Sequence, residues 1–146
     1  MDNSHLPTRH RVLFLCTGNS CRSQMAEAIV NTSRGDQWSA SSAGTQPTGF
    51  VHPLAVQALQ EIGIPHQGFS KSVERFRGES FDLVITLCDD ADQNCPVWLG
   101  QGKRLHIGFP DPAEAQGSQA EKMVAFRSVR DDIKSRILPV LISYPS

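Results

Sequence analysis

Residues 16–23 read CTGNSCRS and set two thiols, three hydroxyls and a guanidinium within eight positions. Cys16 and Arg22 give the spacing Cys-x5-Arg. The two other cysteines of the chain, Cys88 and Cys95, sit together in CDDADQNC. Two chemistries fit such a set: an oxyanion cradle with a thiol nucleophile at its base, or part of a metal or disulfide framework.

The cradle reading follows from the backbone. A loop this short between a strand and a helix turns successive N–H groups inward, making a nest for a tetrahedral anion. The helix N-terminus behind it adds free amides and a favourable dipole. Gly18 permits positive φ and Asn19 tolerates it, with a side chain to brace the loop. Arg22 can grip two anion oxygens in a fork that a lysine could not copy. The same field favours the thiolate of Cys16, and Ser23 can donate to its sulfur. A thiolate beneath a bound oxyanion is a nucleophile aimed at the central atom. Thr17, Gly18, Asn19, Ser20, Cys21, Arg22 and Ser23 are therefore the candidate substrate-binding residues, with Cys21 read as a small residue packed behind the loop.

The framework readings fit less well. Four and then six residues intervene within the cysteine pairs, unlike the Cys-x2-Cys of structural zinc sites. His106 is read as structural. Asp90, Asp92 and Asn94 alternate as in a calcium loop, but Cys95 stands where glycine belongs and Gln101 where the bidentate glutamate belongs. No metal and no cofactor is expected.

The elements that must position these residues alternate. VLFLC (12–16) is a short apolar run suited to a strand buried on both faces. Met25, Ala26, Ile29 and Val30 mark a helix from Cys21–Arg22 to Arg34–Gly35. WSASSAG (38–44) reads as a strand, and a second helix opens at His52–Pro53 and stops at Gly63. A short helix is expected near 72–77, strands at DLVITL (82–87) and RLHI (104–107), and a long final helix ending before Pro139. Strands alternating with amphipathic helices mean an α/β domain with a mostly parallel sheet and helices on both faces. In such folds ligands bind beyond the carboxyl ends of the strands. CTGNSCRS, CDDADQNC and GFPDP each follow an expected strand, so all three fall on one edge.

Composition agrees. A chain of 146 residues suits one domain, here 11–146 behind a polar arm at 1–10. A net charge of −1 argues against nucleic acid, and no apolar run is long enough for a bilayer. MDNSHLPTRH lacks the apolar core of a signal peptide, which points to the cytoplasm, where thiols stay reduced.

CTGNSCRSQMAEA, the strand leading into CDDADQNCP, and GFPDP together resemble the arsenate reductases built on the low-molecular-weight protein tyrosine phosphatase fold. The resemblance runs from Arg11 to Leu138. It implies a three-layer α/β/α arrangement with a four-stranded parallel sheet, Cys16 as nucleophile, Arg22 as anion clamp, Ser23 as thiolate stabiliser and Asp111 as general acid. Gln24 after CRS, the lack of tyrosine in DPAEAQG where the phosphatases carry it, and Cys88 and Cys95 side with the reductases rather than the phosphatases. Reducing arsenate takes two electrons, which two thiols supply by forming a disulfide. The resemblance implies a relay through Cys16, Cys88 and Cys95, with thioredoxin as the external reductant and glutaredoxin as the alternative donor; a monomer is expected. If 88–95 were helical, its ends would lie ~10 Å apart at about 1.5 Å per residue, beyond the roughly 4.4–6.8 Å that a disulfide spans. The segment 88–98 is therefore expected to unwind on oxidation. Some reductases of this type hold a structural potassium ion near the loop; Glu27 and Ser42 match two of its ligands, but Ser72 stands where a later carboxylate is expected. The alternative activity is hydrolysis of phosphate monoesters through a Cys16 phosphoenzyme.

Overall fold

The computed structural model describes residues 9–96 and 102–144. Most of the polar arm lies outside them, as do Gln101 and the last part of the 88–98 segment. The order is β1 (His10–Cys16), α1 (Arg22–Ser33), β2 (Trp38–Gly44), α2 (Pro53–Gln60), a 3-10 turn (Val73–Phe76), β3 (Leu83–Thr86), α3 (Asp89–Gln93), β4 (Lys103–His106), a second 3-10 turn (Pro112–Glu114) and α4 (Gln119–Ile142). The four strands form one sheet in the order β2-β1-β3-β4, every neighbouring pair parallel.

β1 is buried on both faces, and its alternation divides the core. Val12 and Phe14, with Leu83, Ile85 and Leu87, pack against Met25, Ile29, Leu59, Phe126 and Ile133 from α1, α2 and α4. Leu13, Leu15 and Val84 face the other way, onto Val73, Phe76, Phe81, Ala91 and Cys95. One face thus carries three helices, the other a 3-10 turn and the five-residue α3. Hydrogen bonding continues past the strand ends: Leu87 N donates to Leu15 O (2.8 Å) and Phe109 N to Leu87 O (2.9 Å). Those bonds bring the segments after β1, β3 and β4 side by side.

α4 opens with a capping box in which Ser118 and Glu121 satisfy each other's backbone amides. It does not stop before Pro139, as the sequence suggests, but runs through it to Ile142. Proline removes one ladder bond and crowds the preceding turn. Burial outweighs that cost, because Ile137 and Leu141 are both sealed in the core and Tyr144 packs edge-on against Trp38, centroids 5.3 Å apart.

α2 is pinned to α4 by Glu61, which accepts from Arg127 Nη2 at 2.8 Å and from Arg130 Nη1 at 3.0 Å, while Arg130 Nη1 also donates to Ala58 O. The Arg127 hydrogen bonds, joined by those of Arg130, pull the Glu61 carboxyl down to about 2. A carboxylate depressed on folding stabilises the native state above its unfolded pKa, and that contribution fades as pH falls through the folded value. Glu61→Gln should therefore lower the melting temperature by a few degrees at pH 7, and the gap from wild type should close between pH about 4.5 and about 2. Thermal melts across that range check it.

Candidate active site

The loop between β1 and α1 owes its shape to where its carbonyls go. Segment 45–52 runs alongside it, and the amides of Thr45, Gln46, Thr48 and His52 donate to the carbonyls of Cys16, Thr17, Gly18 and Ser20 at 2.9–3.2 Å. The Asn19 carbonyl is taken by Gln24 Nε2 at 3.1 Å. In a planar trans peptide the carbonyl of one residue and the N–H of the next point in opposite directions. Carbonyls turned outward therefore aim the following amides inward, and one of them is seen directly: Asn19 N donates to Cys16 Sγ at 3.2 Å. The expected positive φ belongs to Asn19, at 49°, and not to Gly18. Gly18 supplies space, since a Cβ there would meet Thr48 Cγ2 at 3.0 Å. Gly44, paired with Cys16 on β2, is more constrained: its Cβ would come 2.5 Å from Thr17 O.

Asn19 also orients the sulfur's second partner. Its Nδ2 donates to Ser23 Oγ at 2.7 Å, and its Oδ1 accepts from Gln24 Nε2 (3.1 Å) and Lys71 N (2.9 Å). With that lone pair occupied, the Ser23 hydroxyl has its proton available for Cys16 Sγ, 2.9 Å away. Two donors thus converge on one sulfur and stabilise negative charge there.

Above the sulfur lies a cavity of about 150 Å³, of a size for one small oxyanion, lined among others by Cys16, Gly18, Ser20, Cys21, Arg22 and Asp111. Arg22 enters it from the first turn of α1 and is held by Phe109 O at 3.1 Å, with Asp111 Oδ2 3.8 Å from its other terminal nitrogen. Asp111 is fixed through Oδ1, which accepts from Ala113 N at 3.0 Å. Cys21 reaches the cavity wall, but burial, reinforced by the negative charges of Asp111 and Cys16, pushes its thiol up to about 12. It is a neutral packing group near pH 7.

The structure brings Cys16, Arg22 and Asp111 together and sets Cys88 beside them. Cys88 caps α3, its sulfur accepting from Ala91 N at 3.4 Å and lying 3.4 Å from Thr17 Oγ1. Thr17 is thus turned toward Cys88 and Asp90 rather than into the cavity; its hydroxyl donates to Asp90 Oδ2 at 3.0 Å. Asn19 and Ser23 likewise act from behind the loop. Cys95 is not in the site. It is buried in the cluster on the thin face of the sheet, at the far end of α3, and all four thiols are free.

Sequence reasoning missed Thr48, Phe50 and His52, which line the cavity from the segment after β2, and Ala113 beyond Asp111. The His52–Pro53 pair signalled only a helix start. His52 does cap α2, accepting from Leu54 N through Nδ1 at 3.1 Å. Burial lowers its pKa, so the neutral ring with its proton on Nε2 stands at the cavity wall.

The residues near Glu27 and Ser42 do not fit a potassium ion. The Lys71 ammonium already lies there, 3.8 Å from Glu27 Oε1 and 3.4 Å from Ser42 Oγ. Ser72 turns elsewhere, its hydroxyl accepting from Glu74 N. Among the described residues no cluster of histidine, cysteine and carboxylates suits a metal. No helix among them is long and apolar enough to cross a membrane.

A parallel four-stranded sheet with a Cys-x5-Arg anion loop after its first strand, faced by an Asp-Pro loop, defines the low-molecular-weight phosphatase architecture. The chain belongs to that family: residues 11–142 match the low molecular weight phosphotyrosine protein phosphatases. It is 46% identical over 127 residues to an arsenate reductase of Halalkalibacterium halodurans, covering 86% of this chain and 91% of that one. Among solved structures, an arsenate reductase in a phosphate-binding state superposes with a TM-score of 0.78 at 30% identity, covering 91% of this chain and 97% of the other. An arsenate reductase in an oxidised state gives 0.77 at 30% identity, over 90% and 96%.

Gly44→Ala should push Thr17 off its position and weaken inorganic phosphate binding about tenfold or more, roughly 1.4 kcal/mol, read by calorimetry. Cys21→Ala should bind phosphate as the wild type does, and Cys21 should resist iodoacetamide at pH 7 in peptide mapping.

Proposed function

We propose that this chain reduces arsenate to arsenite through a three-cysteine relay regenerated by thioredoxin. The observation that carries the reading is Cys88, packed against Thr17 at the edge of the anion loop, with Cys95 at the other end of a five-residue helix. A hydrolase needs no thiols there. The likeness to arsenate reductases adds support.

Arsenate binds to the inward amides and Arg22, and the Cys16 thiolate attacks arsenic. Asp111 delivers a proton to the departing oxygen, which leaves as water rather than hydroxide. Cys88 then attacks Cys16 Sγ. The sulfur–arsenic bond breaks with its electron pair staying on arsenic, which leaves as arsenite, and a Cys16–Cys88 disulfide forms. Cys95 attacks Cys88, frees Cys16 as thiolate and leaves a Cys88–Cys95 disulfide for the dithiol of thioredoxin. Two electrons reach arsenic and two are returned by the reductant. The cycle suits a monomer in the cytoplasm, where thiols are kept reduced.

The relay requires α3 to unwind. Its five residues separate the two thiols, Ala91 and Cys95 are both buried, and Cys88 sulfur is tied to the Ala91 amide. Amide exchange at 89–95 should therefore be faster in the Cys88–Cys95 disulfide form than in the reduced protein, and equal protection would sink the idea.

The second reading, phosphate monoester hydrolysis, rests on the same cavity, where Cys16, Arg22 and Asp111 meet. One set of variants separates the two. Cys16→Ser should lose both thioredoxin-coupled arsenate reduction and aryl phosphate hydrolysis by roughly a thousandfold or more. Cys88→Ser and Cys95→Ser should lose sustained reduction and keep any hydrolysis. Normal thioredoxin-coupled turnover in both of the latter variants overturns the relay.

A further inference from the structure

We propose that the Lys71 ammonium is a tethered internal cation that holds the anion loop in its binding shape, so that this protein needs no free monovalent cation to do so. The proposal rests on the anion-binding half of the proposed function and is independent of the reduction steps.

The ammonium sits in a built site. Lys71 Nζ donates to Phe69 O at 3.2 Å and to Ser42 Oγ at 3.4 Å, and lies 3.8 Å from Glu27 Oε1. The Ser42 hydroxyl in turn donates to Glu27 Oε1 at 2.9 Å, which leaves its lone pairs for the ammonium. The Phe69 ring lies below, its centroid 4.9 Å from Nζ. Only 11% of the Lys71 side chain and 17% of the Glu27 side chain are exposed. Carboxylate, hydroxyl and carbonyl are the oxygen donors that hard cations take. Here a side chain of the protein brings the positive charge.

The charge is coupled to the loop by short, fully traced connections. Phe69 O, which receives the ammonium, also receives Gln24 Nε2 at 2.9 Å. Gln24 Nε2 reaches both Asn19 O and Asn19 Oδ1. The Lys71 amide donates to the same Asn19 Oδ1, and Gly44 N donates to Lys71 O at 2.9 Å. Asn19 then directs Ser23 toward Cys16. Removing the ammonium would strand Glu27 as a partly buried carboxylate without a partner charge, which is strongly unfavourable. The segment 69–71 would shift, and Asn19 with it. Lys71 is thus a positioning residue, acting on the oxyanion through Asn19. Burial lowers its pKa while the Glu27 charge opposes that shift, as expected of an ammonium kept in place by its carboxylate.

The test uses inorganic phosphate as probe, with calorimetric binding and thermal melts in choline chloride, sodium chloride and potassium chloride at equal ionic strength. Wild type should bind phosphate with the same affinity, within about twofold, in all three salts. Lys71→Ala should bind about tenfold more weakly in choline and regain affinity and melting temperature in potassium chloride, because the truncated side chain leaves room for a cation beside Glu27. The double variant Glu27→Gln/Lys71→Ala has no charge to balance and should bind equally in all salts. Wild-type binding that requires potassium overturns the proposal, and so does Lys71→Ala binding that is weakened identically in every salt, the signature of a merely structural side chain. Should Lys71→Ala fail to fold in any salt, the double variant must still fold and bind; its failure also overturns the proposal. Loss of arsenate reduction with these results intact would count against the relay alone.

Discussion

The orientation of one side-chain amide, Asn19, governs the site. Its nitrogen donates to Ser23 Oγ while its oxygen accepts from Gln24 and from the Lys71 amide. The partners leave no freedom for the reverse assignment, because a backbone N–H can only donate. The polarity then propagates: Ser23, having accepted, has its proton for Cys16. A carboxylate at position 19 could accept from Lys71 but could not donate to Ser23, and the chain of donors ending on the sulfur would break. The backbone of the same residue, at φ 49°, turns the loop so that its own amide points at the sulfur. One residue in a conformation that few side chains tolerate sets the polar surroundings of the Cys16 sulfur.

The two faces of the sheet divide the labour. On one, α1, α2 and α4 bury an extended apolar cluster that includes Cys16 and Cys21 of the loop. On the other, α3 is held by one buried alanine and by polar contacts: Asp90 to Thr17 and Thr45, Asp92 to Thr86, Asp89 to His106. A helix of five residues has little stability of its own. Segments held by few buried apolar contacts open locally at low free energy. Cys88 packs against both clusters, at the seam between the three-helix face and the thin face. The proposed relay, in which Cys88 meets two partner thiols in turn, would place it at such a seam.

What was legible in the sequence was local. The strand–loop–helix of CTGNSCRS is written in contiguous residues, and Trp38–Gly44 is a strand with the bounds its composition suggests. What was not legible depends on distant partners. Pro139 reads as a stop because the pull of Trp38 on Tyr144 and the burial of Leu141 arrive from a hundred residues away. His52 and Phe50 carry no periodic signal for lining a cavity; they do so because their segment spends its amides on the loop carbonyls. Beside Glu27 and Ser42, the sequence sets Ser72 where a carboxylate would be needed, whereas the bridge between Gly44 and Ser72 and the bond from Lys71 N to Asn19 set the neighbouring lysine against Glu27. A one-residue difference in register along an extended segment moves a side chain to the opposite side.

Thr17 links the two halves of the proposed cycle. Its single hydroxyl proton cannot serve both neighbours, and the Asp90 carboxylate, nearer and charged, is the stronger acceptor. The oxygen lone pairs are then free to accept from the Cys88 thiol. Asp90 is also the residue whose carbonyl and carboxylate hold Asn94 at the end of α3. A displacement of Thr17, the residue next to Cys16, would therefore reach Cys88 directly and the C-terminal turn of α3 through one further side chain. In the proposed cycle, the attack on arsenic and the release of the second thiol would be mechanically adjacent events. That adjacency is what a hydrolase with the same cradle has no use for.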